Sequence, residues 1–90
     1  MIPKAEIQFV LRALHRVASD KPDEQGCEQR DKAYGPRLWH EGVALWGAVL
    51  NVMELTEDDP HFAAAWAALV VQAREYLAES NAERHGLPQN

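Results

Sequence analysis

An all-α fold, a compact three-helix bundle, is what three features of this sequence predict. Apolar residues recur at helical spacing, not in alternation, in three separate stretches. Pro, Gly and charged residues gather between those stretches. The chain of 90 residues is 47% hydrophobic with only five Gly and five Pro, which is the composition of a folded chain and not a disordered one. That length predicts a single domain over 1–90. A domain so small buries a modest share of its surface and has little room for an enclosed active site.

The first helix is expected over about 3–19. Pro3 suits the first turn, where its missing N–H breaks no hydrogen bond. Ile7, Val10, Leu11, Leu14, Val17 and Ala18 follow at the spacing of one buried stripe. Phe9 falls outside that stripe, among Arg12, Ala13 and Arg16, and reads either as a rim residue covered by an arginine stem or as part of a contact patch. A long connection, 20–36, comes next. Its length predicts a short turn of helix around Glu28 to Ala33, with Tyr34 folded back as an anchor before Pro36.

The second helix, about 37–55, is the expected centre of the bundle. Wound at 100° per residue, it is apolar over nearly its whole circumference, apart from a stripe of His40, Gly47, Asn51 and Glu54. Other helices should therefore wrap it, with Trp39 and Trp46 read as core residues ahead of the alternative of binding hot spots. In sequence, a buried network and a surface site look the same along His40, Asn51 and Glu54. Gly42 and Gly47 each cost close to 1 kcal/mol inside a helix and read as places where a neighbouring helix comes near.

The third helix is expected over about 60–84, with Asp59 as N-cap and Pro60 in its first turn. Phe62, Trp66, Leu69, Val70, Ala73, Tyr76 and Leu77 form its core stripe. Ala64, Ala67, Ala68, Val71 and Ala78 form a small apolar face that would admit the first helix or a second subunit. Gly86 and Pro88 end it.

Charge narrows the function. The net charge is −5. Residues 1–19 hold Lys4, Arg12 and Arg16 against Glu6, whereas 38–83 hold eight acids against Arg74 alone. Nucleic-acid binding needs clustered Lys and Arg, so direct binding is not expected. An acidic surface instead fits a protein partner with a basic surface. No apolar run is long enough for a membrane span, and the first residues lack a leader pattern, so a cytoplasmic location is expected.

Two acidic groups are the candidate partner-binding residues. Glu54, Glu57, Asp58 and Asp59 cluster before the third helix, where they also favour its positive end. Glu75, Glu79 and Glu83 stand four apart on one ridge of that helix. The four histidines have no ligand spacing, Cys27 is alone, and neither a nucleophile motif nor a phosphate loop occurs. No catalytic residue, metal or cofactor is assigned.

Asp31, Tyr34-Gly35-Pro36, Ala44-Leu45-Trp46 with Leu50, Leu55-Thr56-Glu57-Asp58 and Ala73-Arg74 together resemble small phage proteins related to the MazG-like nucleotide pyrophosphohydrolases. The resemblance implies an all-helical fold. In that family paired acids on facing helices hold magnesium. Here Glu41 and Glu54, the acids of the second helix, are thirteen residues apart, so the pattern departs from the activity.

The expected function is a non-enzymatic acidic protein-binding module: a phage or mobile-element inhibitor of a host nucleic-acid-handling or defence complex, anti-CRISPR-like in action. One alternative is a reduced MazG-like hydrolase, working as an oligomer with Glu41, Glu54, Glu75 and Glu79 around magnesium. The other is a structural homodimer closed through the alanine-rich face of the third helix.

Overall fold

A computed structural model describes residues 2–20 and 36–86, the side chains of 36 and 83–86 excepted. Among the described residues there are three helices: α1 (Lys4–Asp20), α2 (Pro36–Met53) and α3 (Phe62–Gly86). The expectations for Cys27, for a short helix around 28–33 and for Tyr34 lie outside the described residues, as do the side chain of Glu83 and the segment beyond Gly86.

Local chemistry explains the helix ends. Pro3 accepts from the backbone N–H groups of Glu6 and Ile7, so α1 begins where proline allows it. After α2 the chain turns through Leu55 N–H to Val52 O and Asp59 N–H to Thr56 O. Asp59 Oδ1 then accepts from the His61 N–H at 2.8 Å and its carbonyl from the Phe62 N–H, so Asp59 caps the turn that leads into α3, which begins at Phe62 and not at Pro60 as expected.

The order of packing differs from the sequence expectation. α3 is the helix with a partner on each side: it packs against α1 and against α2, which barely touch one another. Pairs such as Glu6 with Trp66 and Arg16 with Ser80 show that α1 runs parallel to α3. Arg37 with Glu79 and Glu41 with Gln72 show that α2 runs antiparallel. The result is a shallow layer. Its 23 Å width is close to three helix axes in a row at roughly 9 Å spacing.

The core lies along α3. Leu69, Ala73, Tyr76 and Leu77 are buried against Val10 and Ala13 of α1 and Leu38 and Leu45 of α2. Phe9, Leu14, Val17, Val49, Val52, Trp66 and Val70 pack around them. The α3 stripe read from the sequence is therefore the one observed.

The α1 stripe is displaced. Ile7, Leu11 and Ala18, expected inside, are exposed, and Ala13 and Asp20 are buried instead. The reason is polar. Asp20 Oδ2 accepts from Tyr76 Oη at 2.9 Å and from Ser80 Oγ at 2.7 Å. Arg16 Nη1 donates to Ser80 Oγ and to Asn81 Oδ1. These bonds turn the Ala13, Arg16, Asp20 side of α1 toward α3, because buried polar groups left without partners are strongly unfavourable. Phe9 is a partly buried rim residue as one expectation had it, but the guanidinium 5.9 Å from its ring centre is that of Arg74 on α3.

Candidate partner-binding surface

The two acidic groups meet different fates. In the first, Glu54, Glu57 and Asp58 are exposed, while Asp59 is half-buried and occupied as the α3 cap. Asp59 also lies 3.0 Å from the His61 ring nitrogen. Among the described residues, Glu54, Glu57 and Asp58 have no side-chain hydrogen bond or ion pair. Their carboxylates are thus available at one end of the layer.

In the second group Glu75 is exposed, but Glu79 is partly buried and bound to Arg37 Nε at 2.9 Å. The ridge is partly matched from within the chain. Its Glu79 serves to fasten the start of α2 to α3, and that leaves Glu75 as the open carboxylate of the pair.

Beside the acidic turn lies a cleft that the sequence did not reveal. It has a volume of about 420 Å³ and is lined by Pro3, Glu57, Asp59, Pro60, Phe62 and Trp66, among others. Folding brings the start of α1 over the start of α3, and Trp66 Nε1 donates to Glu6 Oε1 at 2.6 Å to hold that end. The cleft joins residues some sixty positions apart, so no local spacing marks it. Chemically it combines proline and aromatic walls with carboxylates on its rim. Such a notch suits a cationic side chain, whose stem would lie on the rings and whose charge would meet the acids.

The polar stripe of α2 is not a core network. His40, Asn51 and Glu54 are all exposed, with His40 in edge contact with the Trp39 ring at 5.1 Å between centres. Trp46, expected in the core, is 49% exposed, and Trp39 is half-buried. Both shifts have one cause: among the described helices α2 is an edge helix that packs on α3 with its Leu38, Leu45 side.

The four carboxylates weighed for magnesium do not come together. Glu41 Oε2 accepts from Gln72 Nε2 at 2.7 Å, Glu79 is held by Arg37, Glu75 is exposed on α3, and Glu54 is at the far end of α2. Among the described residues no three acidic, histidine or cysteine side chains are placed to share a metal ion. Among the same residues no helix is long and apolar enough to cross a membrane.

The class the structure defines is an all-α three-helix protein with an acidic turn at one end. No family model, curated protein or solved structure matches the chain.

Proposed function

We propose that this chain is a non-enzymatic binding module that seats a basic protein segment on its acidic turn. The observation that supports it is the combination at one end of the layer: Glu54, Glu57 and Asp58 are exposed and unpaired among the described residues, next to the cleft walled by Phe62 and Trp66. A lysine or arginine of the partner enters the cleft, and its neighbours meet the carboxylates. The setting we propose is a mobile-element inhibitor that covers the Arg and Lys patches with which a host complex holds phosphates.

The test is capture of partners from nuclease-treated bacterial lysate at low and high salt, with the chain and with a Glu54→Lys, Glu57→Lys, Asp58→Lys variant side by side. The reading expects a stoichiometric partner that the chain holds at low salt and loses at high salt, and that the variant never holds. A partner retained equally by the variant overturns it, and so does the absence of any stoichiometric partner.

A further inference from the structure

α2 carries more apolar surface than this fold covers. Val43, Trp46, Leu50 and Met53 recur at three- and four-residue steps and are 51, 49, 56 and 72% exposed. The polar contacts between helices fix where this stripe lies. Arg37 and Glu41 reach Glu79 and Gln72 along one side of the layer, and on that same side Arg16 reaches Asn81 and Phe9 lies under Arg74. By helical phase the α2 stripe is roughly 120° round from the contact with α3, toward the opposite side. Ile7 and Leu11, both exposed on α1, emerge on that opposite side too. The layer thus has one side closed by polar contacts and another that is open and apolar.

Gly47 says what kind of body covers the open side. A glycine inside a helix costs about 1 kcal/mol relative to alanine. Among the described residues nothing lies within 4 Å of where its Cβ would stand, so no contact between the described helices accounts for the missing side chain. A close approach from outside does account for it. The half-exposed Trp46 is the adjacent residue, and that adjacency makes the face self-complementary. When two copies of α2 lie antiparallel about a two-fold axis between residues 46 and 47, each Trp46 sits opposite the other copy's Gly47. Each Val43 then sits opposite Leu50.

We infer that the open face is the interface of a two-fold dimer of this chain. The area is that of a weak, reversible dimer: the exposed parts of the four α2 side chains amount to roughly 400 Å² per copy, so two copies bury up to about 800 Å² through them. Charge does not oppose it, although each copy is acidic. At a rise of about 1.5 Å per residue the two acidic turns lie at opposite ends of the α2 pair, roughly 30 Å apart, which is several screening lengths at physiological salt. The alanine face of α3 is the weaker surface, because Ala64, Ala67 and Ala68 offer little area and the exposed Glu75 stands on the same side.

Light scattering on the full chain, from low micromolar to near-millimolar concentration, tests the dimer. It expects a mass that rises to twice the 10.1 kDa of one chain. Leu50→Glu should hold the mass at one chain with unchanged helix content by circular dichroism, because Leu50 is outside the monomer core. Ala68→Glu on α3 should leave the dimer intact. Gly47→Ala separates the interface from the fold: helix propensity alone strengthens the single chain, whereas the added methyl under the other copy's Trp46 weakens association by about tenfold or more. A chain that stays single throughout overturns the inference. So does a dimer that Leu50→Glu leaves whole, or one whose affinity Gly47→Ala does not lower. The charge-reversed acidic turn should still dimerise, so failure of the proposed partner and failure of the dimer are read separately.

Discussion

The two flanks of α3 are held by different physics. On the α1 flank the innermost contacts include polar groups: Asp20 and Ser80 are fully buried and joined to Tyr76 and Arg16. On the α2 flank the buried residues are aliphatic, Leu38 and Leu45, and the polar pairs Arg37 with Glu79 and Glu41 with Gln72 lie toward the surface. Aliphatic packing contributes most of the free energy but tolerates sliding and rotation. Buried hydrogen bonds add less, yet they are strict about geometry and so decide which face of α1 is turned inward.

Substitutions on the two flanks test this difference, provided that they are compared at one protein concentration, since self-association raises apparent stability. The largest loss is expected on the aliphatic flank. Leu45→Ala, at a fully buried position, should lower unfolding free energy by about 2–5 kcal/mol in urea melts. Asp20→Ala should follow at about 2–3 kcal/mol, because it leaves Tyr76 Oη and Ser80 Oγ without their shared acceptor. Tyr76→Phe removes the hydroxyl bond to Asp20 and keeps the ring, so about 1 kcal/mol is expected, and the effect should be smaller in the Asp20→Ala background. Arg37→Ala should have the smallest effect, no more than about 0.5 kcal/mol, since the Arg37 side chain is 82% exposed. An Asp20 effect as small as that of Arg37 would mean that the α1 flank is held by its apolar residues alone.

Legibility in the sequence followed the same division. The α3 stripe was readable because Leu69, Ala73, Tyr76 and Leu77 lie on one arc and meet apolar residues from both neighbours. The Asp59 cap was readable because capping is local. The α1 face was misplaced because hydrophobic size weights Ile7 and Leu11, whereas the observed face is chosen by Asp20 and Arg16 through partners about sixty residues away. Of the candidate site, the exposure of Glu54, Glu57 and Asp58 agrees with their charge. The cleft beside them depends on Trp66 meeting Glu6, which no spacing encodes.

By itself the sequence determined that these three stretches would be helices, and that the turn before the third carries acids. Those properties depend on propensity, periodicity and capping, which act over a few neighbouring residues. Only the tertiary structure decided that α3, and not the more apolar α2, has a neighbour on each side. A helix apolar nearly all round has more than one face it could bury, and its own sequence does not rank them. The choice was made by contacts between distant residues, and it leaves Trp46, Gly47 and Leu50 facing outward.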